Sequence, residues 1–188
     1  LEVVIARGFD EAAREVLAGK PELRLLEDRT ITQPPRPSLE ARAAGGGVLL
    51  STADVLPDDI AAWRTVSARE PSAQELDDLA FAWRVVRHVK SDAIVLARDG
   101  AVVGVGAGQK NRVQSARLAV EQAGDKARGA VCASDAFFPF ADGVEVCLAA
   151  GVSAVVEPGG SRNDEAVIAA ADAAGAAMLF TGRRHFRH

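Results

Sequence analysis

Cysteine is scarce: Cys132 and Cys147 are the only two in 188 residues. One pair cannot supply a disulfide framework, and no C-x-x-C spacing exists, so the usual zinc and thiol-redox motifs are excluded. No uninterrupted apolar run approaches the roughly 18 residues of a membrane helix. Neither sign of charge dominates. There are 22 basic and 26 acidic residues, net −4, so a broad positive field for nucleic acid is not expected. The chain begins at Leu1, its only methionine is Met178, and no basic-then-apolar leader precedes the first strand. The expectation is a piece of a longer cytoplasmic polypeptide with reduced thiols.

What remains is an ordinary globular composition, 48% apolar and 26% charged. The length suits one domain or slightly more. LEVVIA (1–6), FDEAAREVLAG (9–19) and LRLLE (23–27) read as strand, helix and strand, with Asp10 as cap. Residues 29–47 carry Pro34, Pro35 and Pro37, then three glycines, and read as a surface excursion or linker. GVLLSTAD (47–54) returns as a strand. Pro57 opens a helical turn or an irregular connection.

From Ser72 the helical period strengthens. Ser72 and Glu75 form a capping-box pattern ahead of a helix over 72–89. AIVLA (93–97), the Asp99-Gly100 turn and AVVGVGAG (101–108) predict a hairpin. Helices over 112–123, 142–151 and 164–174 alternate with strands at 130–134, 152–158 and 176–182. That alternation predicts an α/β fold, and the hairpin makes its sheet mixed. The expected boundary lies between residues 68 and 69.

Five stretches could carry chemistry, each with a plainer reading beside it. The glycines of GVGAGQKNR (104–112) could let backbone approach an anion, or simply form a tight turn. The loop fits neither the dinucleotide fingerprint nor a P-loop. In SDAFFPFAD (134–142), Phe137, Phe138 and Phe140 could stack on a planar heterocycle, with Asp142 accepting ring N–H bonds. The same residues could form a hydrophobic corner with Asp142 as helix cap. PGGSRND (158–164) is a turn in which Ser161 or Asn163 caps the next helix, or an N–H donor loop. TGRRHFRH (181–188) is a solvated basic tail, or a phosphate-binding segment docked by Phe186. His88, lone on a helix, is a surface or core residue or a catalytic one. No nucleophile elbow supports a Ser-His-Asp site.

Taken together, KSDAIVLARDGAVVGVGAGQKNRVQSARLA, GAVCASDAFFPFADGVE, PGGSRNDEAVIAAAD and TGRRHFRH resemble the C-terminal half of the transformylase part of a bifunctional purine-biosynthesis family. That family joins AICAR (phosphoribosylaminoimidazolecarboxamide) formyltransferase to IMP cyclohydrolase. The resemblance is dense over 72–188 and extends to the opening βαβ segment. It implies transfer of a formyl group from 10-formyltetrahydrofolate to the 5-amino group of AICAR. It also implies tandem cytidine-deaminase-like α/β/α three-layer subdomains without the deaminase zinc motif. Residues 1–68 would end the first subdomain and 69–188 would form the second.

Carried over by motif, Arg112, Phe137 and Arg184 would bind the AICAR nucleotide, Arg184 at its phosphate. Val113, Asp142, Ser161 and Arg162 would line the folate site, and Ser91 and Asp135 would flank a structural potassium ion. Asp92 stands where the family usually has a catalytic Asn; ionised Asp accepts hydrogen bonds but donates none. SRND replaces the commoner S-x-R-D. The family's catalytic Lys-His pair has no counterpart, since Lys20, Lys90, Lys110 and Lys126 precede Pro, Ser, Asn and Ala.

The expectations are a homodimeric cytoplasmic enzyme in its intact form, and an inactive chain in isolation. The alternative is a non-catalytic nucleotide-binding or dimerisation module of the same fold. The site reading requires that the Arg-His-Phe tail, the Phe-Phe-Pro-Phe bend and the Gly-Ala-Gly-Gln turn meet around one cavity.

Overall fold

The computed structural model describes residues 2–31 and 38–187, so Pro34, Pro35, Pro37 and His188 lie outside the described residues. The chain divides into two compact units, Leu1–Pro57 and Asp58–His188. The division falls ahead of the expected 68/69 boundary for a physical reason. Residues Arg64–Thr65 pair with the last strand of the second unit, so the segment before Ser72 belongs to that unit's sheet.

The first unit opens with β1 (Val3–Ala6), α1 (Glu11–Ala18) and β2 (Arg24–Glu27), and β1 and β2 pair in parallel. Asp10 caps α1 by accepting the Ala13 N–H at 2.7 Å. β3 (Leu39–Ala44) and β4 (Gly47–Thr52) then form an antiparallel hairpin. The expected excursion thus contains a strand. Its turn is Gly45-Gly46, with φ of 53° and 86°, the two-residue form that demands positive φ at both central positions. No described residue of this unit is buried.

The second unit holds the core. Its sheet runs β5 (Arg64–Thr65), β10 (Ala177–Phe180), β9 (Ala154–Glu157), β8 (Val131–Ser134), β6 (Ile94–Arg98), β7 (Ala101–Gly106). β8, β9 and β10 are parallel, while β6 is antiparallel to both β8 and β7. The fold is α/β with a mixed sheet. All four residues of each parallel strand are buried, which is why VCAS, AVVE and AMLF show little polar alternation.

Successive residues of these strands enter different apolar clusters. Cys132, Val155 and Met178 join Ala116 and Ala119 of α3 (Arg112–Ala123), Val144 of α4 (Ala141–Ala149) and Val167 of α5 (Asp164–Ala173). Val131, Ala133, Val156 and Leu179 join Leu79, Trp83 and Val86 of α2 (Ala73–Val86).

The Ser72–Glu75 capping box is present, but α2 stops at Val86 and leaves His88 exposed beyond it. Buried Asp78 of α2 accepts the N–H groups of Asp99 and Gly100 at 3.0 and 2.7 Å, securing the β6–β7 turn. On edge strand β7, the Val105 N–H donates to Gln122 Oε1 at 2.7 Å.

Gly104 and Gly106 lie on β7 itself and are packing residues. A Cβ on either would collide with the α3 backbone, at the carbonyls of Ala119 and Ser115 respectively. Neither neighbour is a flexible side chain that can yield. Gly106→Ala is therefore expected to lower stability by about 1–3 kcal/mol, read as a reduced urea midpoint; an unchanged midpoint would contradict the close approach.

Candidate functional site

Three loops and the tail of the second unit are joined by main-chain hydrogen bonds. The Ser91-Asp92 loop precedes β6, the 134–140 bend follows β8, and the 158–163 loop follows β9. Gly108 N–H donates to the Ser91 carbonyl at 2.9 Å, and Ser91 N–H donates to the Arg187 carbonyl at 2.9 Å. His185 N–H donates to the Asp135 carbonyl at 2.8 Å. The Asn163 side-chain amide donates to the Pro139 carbonyl at 2.6 Å. The tail, the aromatic bend and the glycine turn are thus linked in one hydrogen-bonded assembly.

His185, not Phe186, anchors the tail. Phe186 is 46% exposed, whereas His185 is 1% exposed. The His185 ring lies 4.7 Å from the Trp83 ring, and its Nε2 is 3.6 Å from Asp58 Oδ1. Asp58 Oδ2 accepts from Arg87 at 2.5 Å, and Oδ1 lies 3.9 Å from Arg183 Nη1. Sequence reasoning missed Asp58, because PDD reads there only as a helical turn or an irregular connection.

Arg112, the first residue of α3, is the site's charged centre. Asn111 caps the helix by accepting the Gln114 N–H, which fixes where the guanidinium emerges. Arg112 Nη1 lies 3.1 Å from Asp92 Oδ1, and Nη2 donates to Asp135 Oδ1 at 2.8 Å. The Arg112 side chain is 12% exposed, Asp135 2% and Asp92 33%. Asp92 has φ of 59°, a left-handed conformation that Asp and Asn tolerate better than other non-glycine residues. Burial pushes the Asp135 carboxyl up, and Arg112 opposes that shift. Its Oδ2 is buried without a hydrogen-bond partner.

The other predicted residues spread along the bend and its neighbours. Phe137 is half-buried, Phe138 is fully buried in the core, and Phe140 is exposed. Asp142 is not the cap of α4. It lies inside the first turn, exposed, and accepts the Gly143 N–H at 2.8 Å. Val113 is close by: its N atom lies 3.8 Å from where a Gly143 Cβ would stand.

Ser161 is half-buried and Arg162 exposed. Neither Ser161 nor Asn163 caps α5 through its side chain. Asp164 shapes the loop instead, accepting from Gly160 and Ser161 N–H at 2.8 and 2.9 Å. Arg184 is exposed, with its guanidinium 5.2 Å from the Phe186 ring centre.

Glu157, at the end of β9, is the second group that sequence reasoning missed. It is fully buried, its Oε2 accepts the Phe138 N–H at 2.7 Å, and its Oε1 has no partner. Burial raises its pKa to about 8; the Phe138 N–H opposes this and Asp164 adds to it. The available signal was an acid ending an apolar run just before Pro158-Gly159-Gly160.

The second unit is therefore a mixed-sheet α/β domain whose loop cluster combines a partly buried guanidinium, carboxylates and an aromatic bend. A sequence model described as the AICARFT/IMPCHase bienzyme matches residues 1–122, and the chain belongs to that family. Similar proteins named "Bifunctional purine biosynthesis protein PurH" come from Desulfitobacterium hafniense (strain DSM 10664 / DCB-2), 52% identical over 187 residues, and Prochlorococcus marinus (strain MIT 9303), 53% over 188. Each match covers 100% of this chain and 36% of the relative. The chain thus spans just over a third of the length of these curated relatives. A solved structure titled "Acinetobacter baumannii RibD, form 2" aligns with TM-score 0.38 and 19% identity, over 53% of this chain and 32% of that one. That likeness is too loose to carry an argument.

Two outcomes test the electrostatics. Removing Arg112 strands a buried carboxylate, so Arg112→Ala is expected to cost about 3 kcal/mol. Adding Asp135→Asn should recover at least about 1 kcal/mol of that in a double-mutant cycle by denaturant unfolding. Glu157 keeps its proton in the folded state to about pH 8, while the unfolded side chain ionises near 4.5. Its contribution is fully present below pH 4.5 and is lost as pH rises toward about 8, at roughly 1.4 kcal/mol per pH unit. Thermal melts of Glu157→Gln should be flatter than wild type across that window. Parallel pH profiles would refute the buried neutral acid.

Proposed function

We propose that this chain is the C-terminal part of an AICAR formyltransferase, contributing a nucleotide and folate half-site to formyl transfer from 10-formyltetrahydrofolate in IMP biosynthesis. The observation that carries this reading is the hydrogen-bonded convergence of Arg187 and His185 with Ser91 and Asp135. It gathers the segments bearing Arg184, Arg112 and Phe137 into one neighbourhood. In this reading Arg184 holds the AICAR phosphate, while Arg112 and Phe137 hold the rest of the nucleotide. Val113, Asp142, Ser161 and Arg162 line the folate, with the Asp142 carboxylate accepting N–H bonds from the aminopyrimidine end.

The finer fold in this reading is a three-layer α/β/α sandwich of cytidine-deaminase type, and the first unit, ending at Pro57 rather than at residue 68, is the end of a preceding subdomain. That no described residue of the first unit is buried supports that assignment, since a parallel two-stranded sheet is normally covered on both faces. A structural potassium ion would be held at Ser91 and Asp135, where the unpartnered Asp135 Oδ2 is a suitable oxygen donor. The working form is a cytoplasmic homodimer. Among the described residues, no helix is long and apolar enough to cross a membrane.

In formyl transfer a base accepts the amine proton as nitrogen attacks the formyl carbon. Loss of such a group typically costs 10²–10⁴-fold, and this chain contains no Lys-His dipeptide to supply it. One observation favours a second reading, a non-catalytic nucleotide-binding or dimerisation module: the Arg112 guanidinium is already shared by two carboxylates, and Asp92 is acceptor-only when ionised.

Titration calorimetry separates binding from its absence. AICAR is expected to bind the chain, and Arg184→Ala to weaken it about tenfold or more, as a charged hydrogen bond to phosphate predicts. No heat from wild type, or equal affinities in both proteins, would defeat the assignment. Formyl transfer by the chain alone should be undetectable; turnover at the rate of an intact enzyme would overturn the half-site reading.

A further inference from the structure

We infer that Glu157 is a positioning residue for the Phe137-Phe138-Pro139 bend, and that it holds the bend in its binding geometry only while protonated. Glu157 is 0% exposed, and its side chain accepts a hydrogen bond from the main chain of the bend. The Glu157 carbonyl also accepts the Thr181 N–H at 2.9 Å, where the tail begins. One residue is therefore bonded both to the bend and to the tail. A further tie to the bend comes from Asn163, in the loop that Glu157 introduces.

The charge balance around the carboxyl is unfavourable to ionisation. Arg112 of α3 is the cation that acts on it, and that guanidinium is already bonded to Asp92 and Asp135. Asp164 at the start of α5 repels a negative Glu157. Cys132 of β8 also faces it, and lies beside Cys147 of α4 with its thiol pushed well up, so it supplies no positive charge. A neutral Glu157 meets the Phe138 N–H with its carbonyl oxygen at no charge cost. An ionised one is a buried anion with an unpartnered oxygen, and its route to solvation is to pull away from the bend. Glutamine preserves the acceptor and cannot ionise.

The ligand consequence rests on the AICAR reading, and the test keeps the two apart. In the 188-residue chain labelled with carboxyl-13C glutamate and 15N, one carboxyl resonance, absent from Glu157→Gln, should titrate near pH 8. The Phe138 amide resonance should move with the same midpoint in wild type and stay still in Glu157→Gln. A Glu157 carboxyl that titrates below pH 6, or a Phe138 amide that ignores its titration, overturns the inference.

AICAR affinity, measured at pH 7 and 9.5, should fall about 30-fold in wild type as the protonated fraction shrinks, and stay within twofold in Glu157→Gln. Equal pH profiles for the two proteins overturn the inference. If AICAR binds neither protein while both resonances titrate together, the transferase reading fails and the role of Glu157 stands.

Discussion

The contact on which the site's architecture depends is the burial of His185. Its ring lies against Trp83 and beside Asp58, and its main chain bonds Asp135. A basic tail of this composition would ordinarily be solvated. Here the imidazole supplies what Phe186 does not: a flat apolar body that packs on an indole and a polar edge near a carboxylate. Once that ring is seated, the Arg187 carbonyl comes into reach of Ser91, and Ser91 in turn holds the glycine turn. Arg112 is independently fixed by the cap of α3 and by two acidic partners. The charged centre and the closing segment are therefore set by separate means and meet at Asp135, whose carboxylate serves one and whose carbonyl serves the other.

Much of this fold was legible in the residues. The capping box at Ser72, the Asp99-Gly100 turn and the apolar strands all follow local rules, because their determinants lie within a few positions of each other. The hairpin of β3 and β4 was obscured by reading three consecutive glycines as a linker, although two of them are what a tight turn requires. Gly104 and Gly106 were open to a ligand-binding reading because a glycine under a helix and one beneath a phosphate look alike in sequence. Only the spatial neighbour distinguishes them, and here it is α3.

The site was less legible than the fold. Motifs pointed to the segments that lie together, yet the residues that hold those segments were invisible. Asp58 acts on residues more than a hundred positions away, and Glu157 acts on the bend from the end of the next strand, β9. Both contribute through burial, which no spacing rule reports. The ion pair of Asp92 with Arg112 is likewise a product of the fold, since a loop before β6 and the start of α3 have no local sequence relation.

Gln122 guards the edge of the sheet. Its amide oxygen sits on the Val105 N–H of the outermost strand, at a place where another extended chain would otherwise bond. Helix α3 therefore has two duties at its two ends: one end presents a guanidinium to the loops, and the other discourages neighbouring sheets from growing onto this one. A sequence change that shortened this helix at its far end would free the Val105 N–H for another extended chain while leaving the charged centre in place.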